Sequence, residues 1–377
     1  MTPTRAEQVC LDRIRRTIEQ LHSIPEEMFA DGPWDTRTAR FSLERNLLGW
    51  SRGTEKLAAR IGSLDLRSDG GKRVLLILPA NSPAAWGHAL LSVVAAGRPV
   101  SIRASRRRAA LIRRWTEYFF RALPGWDFDF VREPTPREKR YFAVVVFGND
   151  ETVESVKAEW GGEVPVMAYG HRFSAAFLEE SEVEGDRLYE NLKKIVEDVI
   201  VWDQCGCLSP QVLYVAVSER KVAEVLCESL VEIFSAYERE YPRGDVAPGE
   251  HLRIHTFRAA VGGEGGRVWA SPESTAWTVA LRAERWLPRD AVGHRTLSVE
   301  IVGSLEDAMK RLTPYREWVE AVSIGGNLKS ADHERTKSVS TAGFGPDVFV
   351  PRGGMQSVSL LRRHSGLRPL PLALAEF

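Results

Sequence analysis

Cysteine is scarce in this sequence: Cys10, Cys205, Cys207 and Cys227 are the four among 377 residues. So few, so unevenly placed, cannot make the disulfide framework of a small secreted domain. Long hydrophobic runs are missing as well. No apolar stretch approaches the ~20 residues that a membrane-spanning helix needs. The N-terminus intersperses charges where a signal peptide would carry an uninterrupted apolar core. A surplus of charge is also absent, with Lys plus Arg and Asp plus Glu at 51 each. That balance offers no general surface for nucleic acid or anionic membrane, although a local basic pocket stays open. Short repeats and low-complexity tracts are absent too. These absences lead us to expect a cytoplasmic protein with no membrane span and no nucleic-acid partner. What is present is a hydrophobic fraction of 44%, enough for sizeable cores, in a chain long enough for two or three domains.

Residues 5–24 place Val9, Leu11, Ile14, Ile18 and Leu21 near helical spacing, and Pro25 ends the pattern. Residues 40–61 read as helix interrupted near Gly53. From Lys72 onward, short apolar runs of strand length (73–78, 100–103, 142–147, 164–168) alternate with helical patterns at 84–96, 106–123 and 151–160. Strands alternating with helices predict a parallel sheet, whose ligands lie outside the carboxyl ends of the strands. A Glu-rich connection at 179–186 leads to a helix at 188–201, then a strand at 211–217 and a helix at 222–237. Polar loops are expected at 238–250 and 262–266 and a strand at 275–282. A further β–α–β unit is expected from 296 to 324.

The stretch VWDQCGCLSPQVLYV, residues 201–215, concentrates the chemistry. Cys207 sits in a Gly/Ser/Pro loop between a helix and a strand, where small neighbours let a carbonyl approach a thiol. A free cysteine is equally often a small buried hydrophobe, and this loop alone leaves both readings open. The pair Cys205 and Cys207 lacks the second pair of a structural zinc site, and no metal is expected. Three strand-end loops add candidates. Asn81, in LPANSP, can donate to an oxyanion or simply make a turn. Arg103 and Ser105 close the second strand, and a planar guanidinium suits a phosphate. Arg106 to Arg108 read as a solvated helix start. Gly148, with Asn149 and Thr152 in FGNDET, opens a helix where backbone can approach a dinucleotide, without the full G-x-G-x-x-G pattern. The run VGGEGG follows no buried strand and reads as loop.

The run DQCGCLSPQ resembles the signature around the active-site cysteine of the long-chain acyl-CoA reductases, the fatty acid reductases of bacterial bioluminescence, which belong to the aldehyde dehydrogenase superfamily. Other segments match in order. Asn81 resembles the oxyanion Asn after the first long strand. VSIRAS is similar to the segment near the cofactor's adenosine ribose, with Arg103 for the more usual Lys. FGNDET looks like the shorter phosphate-contacting turn, and YGHRFS, with His171, like the turn after the fourth strand. His294-Arg295 looks like the start of an Arg-containing strand. Gly353-Gly354-Met355-Gln356 and His364-Ser365-Gly366 are similar to the C-terminal segment, without the Trp and acidic residue expected nearby. Cys205 stands where the family more often has a polar residue.

The resemblance implies an α/β, aldehyde dehydrogenase-like fold. Its NADP-binding domain would span 1–185 with the segment 346–377, and its catalytic domain 186–345, with a cleft between them. It implies NADPH-dependent reduction of an acyl thioester, of CoA or a protein and expected to be fatty acyl, to an aldehyde. Cys207 would be the nucleophile and Asn81 an oxyanion donor. Arg103, Ser105, Gly148, Asn149 and Thr152 would hold NADPH, with Arg103 on the 2′-phosphate. Family members that form free acids use a Glu to activate water. The same spacing from Cys207 falls on 170–174, where His171 alone can stand in as a base. An acyl-activating enzyme and a second copy of the chain are left open as partners. The alternatives are an acyl-phosphate reductase on the same fold and a non-catalytic or metal-binding module using Cys205 and Cys207.

Overall fold

The computed structural model describes residues 3–64, 72–183, 186–325, 344, 346–364 and 367–376. The chain divides into two compact units. Unit 1 is Met1–Gly32, Leu43–His171 and Ser357–Phe377, and unit 2 is Pro33–Ser42 and Arg172–Gln356.

Unit 1 is built on continuous apolar runs. Its elements are α1 (Arg5–His22), most of α2 (Thr36–Ser51), α3 (Thr54–Gly62), β1 (Arg73–Leu78), α4 (Pro83–Ala96), β2 (Val100–Ala104), α5 (Ala109–Phe120), β3 (Phe128–Phe130), β4 (Tyr141–Phe147), α6 (Asp150–Trp160) and β5 (Val166–Tyr169). Its sheet runs β3-β2-β1-β4-β5 with every pair parallel. β1 is central, and Val74 to Leu78 are all buried, as a strand covered on both faces requires. Leu75, Ile77, Val144 and Val146 pack with Val153, Val156 and Trp160 of α6. α4 starts sharply because Ser82 caps it and Pro83 fills its first position, and it stops at Gly97, which takes φ +70°. Nearly the whole helix is buried, so it shows little amphipathic pattern.

Unit 2 contains β6 (Phe173–Leu178), α7 (Asp186–Ile200), β7 (Pro210–Ala216), α8 (Arg220–Glu240), α9 (Pro248–Gly263), β8 (Arg267–Ala270), β9 (Thr278–Leu281), β10 (Thr296–Val302), α10 (Leu305–Leu312), β11 (Val319–Ile324) and β12 (Phe349–Pro351). A last helix, α11 (Leu370–Glu376), returns to unit 1. The second sheet runs β12-β11-β6-β7-β10-β9-β8, parallel except where β8 joins β9. Phe173, Phe177, Tyr214, Trp286, Met309 and Leu312 anchor its core.

The compact units divide at His171/Arg172, because β6 pairs with β7 and β11 of the second sheet. Residues 33–42 also belong to unit 2. Trp34 meets Trp202 edge-on with ring centroids 5.2 Å apart, and Phe41 packs on Tyr241 at 4.5 Å. Among the described residues no helix is long and apolar enough to cross a membrane.

Candidate active site

The strand-end residues of unit 1 gather at one end of its sheet. β2, β1 and β4 are neighbours, and the Ser105 N–H donates to the Leu78 carbonyl at 3.1 Å, tying two of the loops together. Asn81 is exposed there, while Arg103, Ser105 and Gly148 are half-buried. The order of strands reverses at β1, so this end is where an open α/β sheet receives a ligand. A Cβ on Gly148 would stand 3.0 Å from Thr152, so that turn has little room for a side chain. Asn149 and Thr152 act locally. The Asn149 side chain accepts from the Thr152 N–H at 3.0 Å and from its hydroxyl at 2.6 Å, capping α6. The first turn of α6 carries Asp150 and Glu151. These carboxylates already complement the helix N-terminus and would oppose a phosphate placed over it. Of these strand-end loops, the one with Arg103 and Ser105 offers a cation and a hydroxyl to an anionic ligand, whereas the α6 turn offers carboxylates.

His171 is exposed, and its backbone N–H donates to Asp150 at 2.9 Å. It belongs to unit 1, whereas Cys207 belongs to unit 2. His364 packs edge-on against His88 at 5.1 Å and lies 6.4 Å from Tyr169. Burial, with His364 adding to it, pushes His88 down to about 3, so His88 is a neutral packing residue. Ser365 and Gly366 lie outside the described residues.

Cys207 precedes β7, so it lies at the amino end of its sheet, opposite to where a strand-end search would look. The chain enters the loop through Trp202, Asp203 and Gln204, with φ +51°, +53° and +64°. Three successive non-glycine residues in the left-handed region cost about 1–2 kcal/mol each, so something must hold them. A second left-handed turn, Gly293, His294 and Arg295 with φ +72°, +53° and +61°, does so. Arg295 is 1% exposed. Its guanidinium reaches the Asp203 carboxylate at 2.7 and 2.8 Å, Glu238 at 2.8 Å and the Tyr241 carbonyl at 2.8 Å. The other Asp203 oxygen accepts from the Gly244 N–H at 3.1 Å. Removing the cation would strand these carboxylates, at about 3–5 kcal/mol for a buried pair.

Gln204 completes the lock. Its Oε1 accepts from the Thr296 N–H at 2.7 Å, and its Nε2 donates to the carbonyls of Thr296 at 2.9 Å and Pro210 at 2.7 Å. One side chain thus joins the start of β10 to the start of β7 and closes the loop 204–210, with Cys207 at its midpoint. The Ser174 hydroxyl donates to the Cys207 carbonyl at 2.7 Å, and Gln356 donates to the Ser209 hydroxyl at 3.0 Å.

The cysteines are sorted by environment. Cys207 is exposed, Cys10 and Cys227 are buried, and Cys205 is intermediate. Cys205 is partly exposed, its Sγ donates to the Asp203 carbonyl at 3.7 Å, and burial together with the carboxylates of Asp203 and Glu250 pushes its thiol up to about 12. It stays protonated at neutral pH. Among the described residues no three His, Cys, Asp or Glu side chains gather to hold a metal. Sequence reasoning gave Gln204 and Asp203 no role and quoted Ser174 and Gln356 only within the YGHRFS and C-terminal segments. Gln204 and Asp203 adjoin the Cys205–Cys207 pair, but nothing in their residue types announces a left-handed turn.

Comparison with known proteins agrees with this architecture. None of the curated protein sequences compared with the chain matches it. Among solved structures, an oxidoreductase from Marinobacter aquaeolei is 14% identical with a TM-score of 0.72, covering 98% of this chain and 83% of that one. Aldehyde dehydrogenase 21 from Physcomitrella patens, solved with its product succinate, is 14% identical with a TM-score of 0.64, covering 96% and 79%. A putative methylmalonate-semialdehyde dehydrogenase from Sinorhizobium meliloti, complexed with NAD, is 13% identical with a TM-score of 0.66, covering 90% and 75%. At such identities these likenesses establish the aldehyde dehydrogenase-like fold. The model of the acyl-CoA reductase (LuxC) family matches residues 139–373, more than half of the chain, including β4, the Cys207 loop and Arg295. The chain belongs to the LuxC family of acyl-CoA reductases and is an oxidoreductase that reduces acyl groups to aldehydes.

Proposed function

We propose that the substrate is an acyl thioester of CoA or of a protein, with a fatty acyl group, and that the reductant is NADPH. The observation that carries this reading is Cys207, the exposed thiol among four, at the midpoint of a loop fastened by buried side chains. In this reading unit 2 is the catalytic domain and unit 1 the NADP-binding domain. The Cys207 thiolate attacks the carbonyl carbon of the thioester, and Asn81 and backbone N–H groups donate to the oxyanion. The departing thiolate takes up a proton, leaving the acyl group on the Cys207 sulfur. Arg103 and Ser105 hold the adenosine end of the cofactor, the guanidinium against the 2′-phosphate. NADPH, when bound, supplies the hydride. The bond from the acyl carbon to the Cys207 sulfur then breaks, the sulfur keeps the electron pair, and the aldehyde leaves. A cytoplasmic location accords with both substrates.

The test is aldehyde formation by two variants, with acyl-CoA and acyl phosphate assayed side by side. Cys207→Ala is expected to abolish it and Cys205→Ala to keep most of it. Labelled acyl group trapped on Cys205 would reverse the assignment. Turnover of acyl phosphate in preference to acyl-CoA would replace the substrate.

A further inference from the structure

We propose that Gln204 and Arg295 are positioning residues that hold the Cys207 loop in its reactive conformation. The proposal rests on the reading of Cys207 as nucleophile. Two left-handed turns, distant in sequence, support one another: Trp202 to Gln204, and Gly293 to Arg295. Neither would persist alone, since such backbone survives only where its surroundings over-determine it. Gln204 uses both ends of its amide to fix the starts of β7 and β10, and its bond to the Pro210 carbonyl spans the five residues centred on Cys207.

The surroundings of the two turns are equally determined. The Trp202 N–H donates to the Ser42 hydroxyl at 2.8 Å, which donates to the Thr38 carbonyl at 2.6 Å. The Thr38 hydroxyl donates to the Pro242 carbonyl at 2.6 Å and accepts from Arg295 at 3.3 Å. Every polar group of the two turns named here is answered inside unit 2. The outward result is a loop that presents Cys207 exposed and turns Cys205, two residues away, back so that its Sγ donates to the Asp203 carbonyl at 3.7 Å and the residue is only partly exposed. Releasing the clamp would let Gln204 and Asp203 relax to ordinary backbone, which reorients both cysteines.

The test compares full-length wild type with Gln204→Ala, Gln204→Glu, Arg295→Lys and Arg295→Met. Each is assayed for kcat and KM with acyl-CoA, for thermal unfolding, and for iodoacetamide labelling mapped to individual cysteines. Wild type is expected to label at Cys207 and spare Cys205. Gln204→Ala and Arg295→Met should lose about a hundredfold in kcat, the scale of a small misplacement of a reacting group, with KM for the thioester unchanged. Both should label at Cys205. Arg295→Lys, which retains the charge, should recover part of kcat and of the protection. Gln204→Glu keeps length and one acceptor but cannot donate to Thr296 and Pro210, so it should behave like Gln204→Ala. It carries the same test should the alanine variant fail to fold.

A folded Gln204 variant with wild-type kcat and a spared Cys205 would overturn the proposal. So would a loss of kcat that merely follows the loss of thermal stability while Cys205 stays protected. The labelling readout needs no turnover. A Cys207→Ala enzyme that still forms aldehyde would therefore sink the nucleophile assignment separately, while labelling would still decide whether the clamp shapes the loop.

Discussion

At the scale of single residues, environment outweighs chemical identity. Cys205 and Cys207 are the same side chain two positions apart, yet burial and the carboxylates of Asp203 and Glu250 keep the first protonated while the second faces solvent. Arginine shows the same sorting. Arg295 is consumed by Asp203 and Glu238, whereas Arg103, opposite Ile77 near the end of β2, is half-buried at the carboxyl end of its sheet's strands. If Arg103 reads the 2′-phosphate, Arg103→Ala removes a charge-assisted contact of about 1.5–3 kcal/mol, roughly ten- to a hundredfold. The expected outcome is a loss of that size in the affinity for NADPH and little change for NADH, measured as separate Kd values. Equal losses for both cofactors would remove Arg103 from that role.

Among the elements, β6 is the informative one. Its sequence, Phe-Ser-Ala-Ala-Phe-Leu, is buried throughout and carries no carboxylate. A general base must come within hydrogen-bond reach of the attacking water, and β6, which enters unit 2 beside the Cys207 strand, supplies none. If Cys207 carries the acyl group, that group should therefore persist until hydride or an acceptor thiol arrives. Loading the enzyme with labelled acyl-CoA in the absence of NADPH and following label release checks this. Multiple turnovers to free acid at the rate of aldehyde formation would contradict it, and loss of that hydrolysis in His171→Ala would identify His171 as the base. β6 is also the strand that the sequence hid. β1, β4, β7, β10 and β11 stand out as apolar runs, but Ser174, Ala175 and Ala176 are too small to announce a core strand, and a polar turn precedes them. α9 was obscured similarly. It begins at Pro248-Gly249, ends at Gly262-Gly263 and buries only Ile254, Phe257 and Val261, so its ends looked like loops. The positions of Cys207 in a loop before β7 and of Asn81, Arg103 and Gly148 at strand ends were legible because residue type and chain pattern coincide there. The Asp203, Gln204 and Arg295 clamp was not, since its logic is a backbone conformation shared by segments far apart.

For the whole molecule, the discontinuous division of the chain has a counterpart in its stability. Asp198 is buried, accepts the Gly353 N–H at 3.0 Å, and is pushed by burial up to about 8 from an ordinary 3.8. The folded protein therefore keeps a proton that the unfolded chain gives up between those values. This contribution to stability is fully present below about pH 4, declines as pH rises toward 8, and levels off above it. Asp198→Asn, neutral throughout, should abolish that decline and melt higher than wild type above pH 8, by roughly 2–4 °C for each kcal/mol recovered. Melting temperatures of both proteins from pH 5 to 9 decide the matter, and parallel curves would refute it. The clamp has a consequence of another kind. Arg295 lies 92 residues after Asp203, so during synthesis Cys207 leaves the ribosome long before the side chain that fixes its loop. At about 5–20 residues per second the interval is roughly 5–18 s. Throughout it Cys205 and Cys207 in the nascent chain are of equal standing. On the proposed clamp, the difference between them is acquired only when the later strand arrives, and a chain stalled before residue 295 would offer both to any electrophile that finds them.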